Sequence, residues 1–117
     1  MKAAVIHSFG SADVIHIEDI ATPSPEPGEV LVRVHAASVN PVDYKTRAGH
    51  YPPIKEAQLP ITLGRDVAGS VERCGTPAGK FAPGEAVYAL LDREHGGYAE
   101  YVIVKDQDLV KKPRRAN

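Results

Sequence analysis

The chain has 117 residues, 43% of them apolar, and a formal net charge of −1 at pH 7, which suits one domain with a core of its own and leaves no basic footprint for nucleic acid. Cys74 is the only cysteine, so an internal disulfide is excluded and a reducing compartment fits. The first apolar run stops at Ile6, too short for a signal-peptide core or a membrane span, and a soluble cytoplasmic protein without a membrane partner is the expectation.

The ten glycines and ten prolines separate short apolar runs, a pattern that predicts an all-β sandwich or barrel. Lys2 to His7 reads as a strand, and Val14 to Ile20 as its hairpin partner, which would bring His7 and His16 near each other across the pair. Pro23, Pro25, Pro27 and Gly28 make a stiff connector that cannot be a central strand. Glu29 to Ala37 is the clearest strand, with Val30, Val32, Val34 and Ala36 on one face and Arg33 and His35 on the other.

That strand leads into the segment Ser38 to Gly49, a short helix with both ends written into its residues. Asn40 is placed as N-cap, Pro41 at the first helical position, Asp43 in the first turn and Arg47 in the last. Gly49 is placed for a left-handed C-cap. Asn40, Asp43 and Arg47 share a helix face, and an ion pair between Asp43 and Arg47 is expected there. Tyr51 to Leu63 reads as an ordered loop. Val67 to Arg73 reads as a strand in which Gly69 permits close backbone approach. Gly75 to Gly84 is a turn region, followed by strands Glu85 to Leu91 and Tyr98 to Val104. Leu109 and Val110 precede Pro113 without a strand assignment, and the cluster Lys111, Lys112, Arg114 and Arg115 reads as a solvated tail.

Asn40-Pro41-Val42-Asp43, Arg47-Ala48-Gly49 and Tyr51-Pro52 together resemble the medium-chain dehydrogenase/reductase superfamily, most nearly its zinc-independent quinone oxidoreductase branch. Leu59-Pro60, Gly64-Arg65-Asp66-Val67-Ala68-Gly69, Gly84-Glu85-Ala86-Val87-Tyr88 and Gly96-Gly97-Tyr98-Ala99-Glu100-Tyr101-Val102 continue the same order. The resemblance runs over nearly the whole chain. It implies a mainly β fold, a GroES-like, partly open barrel with one or two short helices, filling residues 1–117. It also implies that the Rossmann cofactor domain of the family lies outside these residues.

The same resemblance speaks to metal. Where zinc-dependent members carry a cysteine this chain has Asn40, and where they carry Gly-His-Glu it has Gly64-Arg65-Asp66. Arg65 is a cation that cannot ligate zinc. The position of a proton-relaying hydroxyl is Val42, and one cysteine cannot build a four-cysteine lobe. No zinc is expected.

The expected chemistry is hydride transfer from NADPH to a quinone or enone, in which the protein orients the rings and offers donors to the oxygen. The resemblance implies that Asn40 and Tyr51 are the catalytic candidates and that Asn40 and Arg65 face the cofactor. Helix capping by Asn40 and loop packing of Tyr51 against Pro52 and Pro53 are the plainer alternatives, and both stay open. Asp43, Arg47, Arg65 and Asp66 are candidates for a charged cluster lining the cleft, whereas Tyr98 and Tyr101 read as packing residues. The chain has no Gly-x-Gly-x-x-Gly turn, and Ser70 stands where a phosphate-binding loop needs lysine. The isolated chain is therefore expected to be inactive, with NADPH bound only when a Rossmann domain is joined to it. The alternative is a stand-alone or truncated GroES-like domain that acts through a partner. Uncovered strand edges would then promote self-association.

Overall fold

The structure is a computed structural model that describes residues 1–75, 80–92 and 95–112. Its elements in chain order are β1 (Lys2–Ile6), β2 (Ile15–Asp19), β3 (Glu29–Ala36), α1 (Pro41–Ala48), β4 (Ile61–Thr62), β5 (Asp66–Cys74), β6 (Ala86–Leu90), β7 (Tyr101–Lys105) and β8 (Leu109–Lys111). Single 3-10 turns lie at Ala12–Val14, Glu56–Gln58 and Asp106–Asp108. The strands form a three-stranded sheet, β2-β1-β4, and a five-stranded sheet, β7-β3-β5-β6-β8. All pairings are antiparallel, and the mainly β architecture is the expected partly open barrel with one helix.

Alternating apolar side chains of the larger sheet converge on one core. Val30 and Val32 of β3, Val67 and Val71 of β5, Val87 and Ala89 of β6 and Val102 and Val104 of β7 meet there, closed by Phe81, Leu91 and Leu109. Each such side chain contributes about 1.5–3 kcal/mol on burial. The alternation in β3 is less regular than expected. Leu31 is buried beside Val30 and Val32, whereas Val34 is half-buried and Ala36 exposed. The β3–β5 register shifts between Leu31 and Val32 and again between Val34 and Ala36, and each such irregularity re-aims the strand. Gly69 lies opposite Val34 in this pairing, and a Cβ on it would stand 2.0 Å from the carbonyl oxygen of Arg33. Only glycine permits that approach.

Other boundaries differ for local reasons. The strand expected from Tyr98 begins only at Tyr101, because Tyr98 and Ala99 cross to the small sheet: Ala99 bridges Ala3, and the Tyr98 carbonyl accepts the Ala4 N–H at 2.7 Å. Leu109 and Val110 do form a strand, β8, which covers the open side of β6. β1 and β2 pair as a hairpin, but His7 does not meet His16; its Nε2 lies 2.6 Å from Glu18 Oε2. The centre of the turn at 75–84 and part of the basic cluster, Arg114 and Arg115, lie outside the described residues. Lys111 of that cluster pairs with Glu85 at 3.3 Å.

Candidate functional site

α1 forms as its ends require. Asn40 is extended, with φ −117°, and its N–H donates to Asp43 Oδ2 at 2.8 Å. Pro41 opens the helix, and Thr46, buried, donates its hydroxyl to the Val42 carbonyl at 2.6 Å. Gly49 closes it at φ +82°, with its N–H on the Thr46 carbonyl at 3.1 Å and that of His50 on the Lys45 carbonyl at 2.8 Å. This is the paired carbonyl capping of a left-handed terminus. The loop after β1 grips the same end, where the Gly10 N–H donates to the Arg47 carbonyl at 2.9 Å.

The helix sets Asn40 against the first residue of β5. Asn40 Nδ2 donates to Asp66 Oδ2 at 3.0 Å. Ser38 donates to the same carboxylate twice, from its N–H at 2.9 Å and from its hydroxyl at 2.6 Å. Partial burial pushes the Asp66 carboxyl up, but the Ser38 and Asn40 donors outweigh it and hold it below the ordinary value. Asp43 is 4% exposed, and the Tyr98 hydroxyl donates to its Oδ2 with a donor–acceptor distance of 3.0 Å, the Ser38 carbonyl lying equally near that hydroxyl at 3.0 Å. Burial first, then the bond to Asp43 and the charges of Asp43 and Asp66, drive the Tyr98 phenol far above its ordinary range. Asp43 Oδ1 and Arg47 Nε are buried without a hydrogen-bond partner among the described residues.

Arg65 follows a different course. Its Nη1 donates to the Asp92 carbonyl at 3.1 Å, and its own carbonyl accepts the Leu91 N–H at 2.7 Å. Arg65, Asp43, Thr46, Asp92 and His95 line one small, partly open pocket. Gly64, at φ +107°, makes the turn between the two neighbourhoods, and a Cβ there would meet Tyr98 Cδ1 at 2.8 Å.

The expected cluster of Asp43, Arg47, Arg65 and Asp66 assembles only in part: Asp43 and Arg65 line one pocket, while Asp66 is taken by Ser38 and Asn40. Among the described residues no ion pair joins Asp43 to Arg47; the Asp43 carboxylate is taken by the Asn40 N–H and the Tyr98 hydroxyl instead. Asn40 and Asp66 come together, and Arg65 is tied instead to the Asp92 carbonyl. Tyr51 is half-buried at the head of the loop after α1, where its carbonyl accepts the Ile54 N–H at 3.0 Å. Its hydroxyl has no hydrogen bond among the described residues and is not part of the Arg65 cavity. Ser38, Tyr98, Asp92 and His95 are members that sequence reasoning missed. The signal for Ser38 was a hydroxyl two residues before the N-cap, and for Asp92 and His95 an acid and an imidazole three apart before Gly96-Gly97.

Among the described residues no group of three or more histidines, cysteines and acids converges, and the Asp66 carboxylate is engaged by Ser38 and Asn40. A nicotinamide cofactor fits only in part. The pyrophosphate of such a ligand needs free N–H groups at a helix start, yet Pro41 has none and the Asn40 N–H is spent on Asp43. The chain can offer the second Asn40 amide hydrogen and the remaining Arg65 donors to the reactive end.

The two antiparallel sheets and the single capped helix are those of a GroES-like β-domain. The profile of the alcohol dehydrogenase GroES-like domain matches residues 26–114, and the chain belongs to that family. It is 39% identical over 116 residues to a quinone oxidoreductase of Homo sapiens, covering 98% of this chain and 34% of that protein. It is 36% identical over 129 residues to a mitochondrial NAD(P)H oxidoreductase of Bos taurus, covering 97% of this chain and 33% of that protein. The structure of the quinone oxidoreductase from Coxiella burnetii superposes with a TM-score of 0.92 at 33% identity, covering 100% of this chain and 38% of that one. The chain thus spans about a third of the length of the relatives it matches. None of its helices, among the described residues, is long and apolar enough to cross a membrane.

Proposed function

We propose that this chain is the substrate-side domain of a zinc-free oxidoreductase that transfers hydride from NADPH to a quinone or another conjugated carbonyl. The observation that carries the reading is the engagement of the residues standing where the resemblance places zinc ligands. Asp66 is held by Ser38 and Asn40, and Arg65 is tied to the Asp92 carbonyl. A guanidinium and an engaged carboxylate repel or ignore a metal, yet they can orient an anionic or carbonyl oxygen. A reduced nicotinamide, held by a cofactor domain, would supply the hydride. The chain's part is to present Asn40 and Arg65 to the reactive ring and Tyr51 to the acceptor. Small misplacements at such a wall cost rate steeply.

The test compares this chain with the same chain continued through a cofactor domain, following NADPH absorbance with a small quinone. The short chain is expected to show no turnover above background and the extended one steady turnover, lowered by Asn40→Ala and Tyr51→Phe. An inactive extended chain would reject the assignment, and turnover by the short chain would reject the need for two domains. Elemental analysis of either should find no stoichiometric zinc.

One observation favours a second reading, a non-catalytic domain that associates through its surface. Leu90 and Val39 are each 77% exposed and Tyr88 44% exposed beside an apolar hollow between β5 and β6, and Ile17 on edge strand β2 is 69% exposed. Sedimentation at rising concentration separates the two: self-association that Leu90→Lys abolishes supports the second reading.

A further inference from the structure

A polar constellation that the hydride-transfer reading does not use stands in the loop between β6 and β7. The Asp92 carboxylate holds His95, with Nδ1 at 3.0 and 3.1 Å from its two oxygens and the His95 N–H at 2.9 Å from Oδ1. The carbonyl of the same Asp92 holds Arg65 at 3.1 Å. His95 is half-buried and lines the cavity that Arg65 and Asp43 also line. Asp43 in turn accepts the Asn40 N–H at 2.8 Å, so the cavity adjoins the Asn40 wall. A carboxylate at Nδ1 fixes that nitrogen as donor and leaves Nε2 as the atom that exchanges a proton. Among the described residues Nε2 of His95 makes no hydrogen bond.

We propose that His95 is the proton donor that completes the reduction, with Asp92 as its positioning residue; the inference rests on the hydride-transfer reading above. Reduction of a quinone or enone needs a hydride and a proton. When hydride forms the new C–H bond on the acceptor, the π electrons move onto its carbonyl oxygen. The Nε2–H bond of His95 then breaks, its hydrogen bonds to that oxygen, and the neutral imidazole recovers a proton from water. Among the described residues, the charged groups that share this pocket with His95 are Asp92 from its own loop, Arg65 just before β5 and Asp43 from α1.

Two measurements test this. In the chain as it stands, ¹⁵N chemical shifts of the His95 ring should show the Nδ1–H tautomer when neutral, and Asp92→Asn should abolish that preference. A neutral ring in the Nε2–H form would overturn the inference without any assay of activity. In the chain continued through a cofactor domain, His95→Gln should lower kcat with a small quinone by about 10²-fold, leave KM nearly unchanged and remove the limb of the pH–rate profile in the imidazole range. His95→Gln that folds, shown by an unchanged denaturation midpoint, yet keeps the wild-type limb would overturn it. If the extended wild type is inactive, the hydride-transfer reading fails and this inference falls with it, whatever the tautomer.

Discussion

Arg65 and Asp66 are neighbours in the chain, yet they serve two unlike neighbourhoods. Asp66 is enclosed by three donor contacts from Ser38 and Asn40, and the adjoining Asp43 is buried under Tyr98. Among the described residues Arg65 makes a single side-chain bond, to a main-chain carbonyl, and it lines a pocket with His95 and Asp43. The Asp66 side holds the helix against the sheet. The Arg65 side keeps donors in reserve. Substitutions at Asp43, Tyr98 and Asp66 should therefore weigh on stability and those at Arg65 on kinetics, with Asn40 belonging to both neighbourhoods.

The largest effect is expected at Asp43. Asp43→Ala removes the acceptor of both the Asn40 N–H and the Tyr98 hydroxyl at a buried position, and should cost roughly 3 kcal/mol in chemical denaturation. A loss below about 1 kcal/mol would break the assignment of this side to stability. Tyr98→Phe keeps the ring against Gly64 but removes the hydroxyl, and should cost about 1–2 kcal/mol. A wild-type midpoint would show that the ring alone matters.

Asp66→Asn should cost about 1 kcal/mol at neutral pH, since the site is partly exposed, and its clearer signature is in pH dependence. The folded carboxyl titrates below its ordinary value of 3.8, so in that range the native state binds fewer protons than the unfolded chain. Its contribution is complete above about 3.8 and declines as pH falls through the folded value. Denaturation midpoints measured from pH 5 down to about 2 should therefore fall less steeply in Asp66→Asn than in wild type. The smallest effect belongs to the other neighbourhood. Arg65→Gln should change stability by no more than about 0.5–1 kcal/mol, while altering NADPH-dependent kinetics in an extended chain. A large loss of stability would erase the contrast.

Much of this fold was legible because it rests on local rules. The cap, the proline and the terminal glycine of α1 are chain neighbours, and the alternation in β5 and β6 needs no knowledge of partners. The glycine at 69 announced a close approach, though not that Arg33 would be the backbone it meets. What could not be read were choices made between distant segments. Asp43 had a helical partner four residues on and took a tyrosine 55 residues away. Tyr98 looked like a packing residue because its acceptors, Ser38 and Asp43, are remote in sequence. β8 is three residues long, too short for a period to declare itself, and exists because β6 offers an edge. Asn40 was read as the N-cap that it is, but its bond to Asp66 depends on how β5 is threaded past the helix.

The segment Gly96 to Tyr98 has a consequence beyond the site. The Tyr98 N–H binds the Leu63 carbonyl at 2.9 Å, the Gly97 N–H reaches the Gly64 carbonyl at 3.3 Å, and the Tyr98 carbonyl takes the Ala4 N–H at 2.7 Å. A Cβ on Gly96 would lie 2.0 Å from the Thr62 carbonyl oxygen. These three residues are a seam sewn through both sheets, so the small sheet cannot peel away while the large one stays intact. A three-stranded sheet with a strand as short as β4 would be marginal alone; joined by the seam it is expected to melt with its larger neighbour. Loop exchange between relatives would then succeed when its cut falls before Gly96, and fail when it falls within the seam.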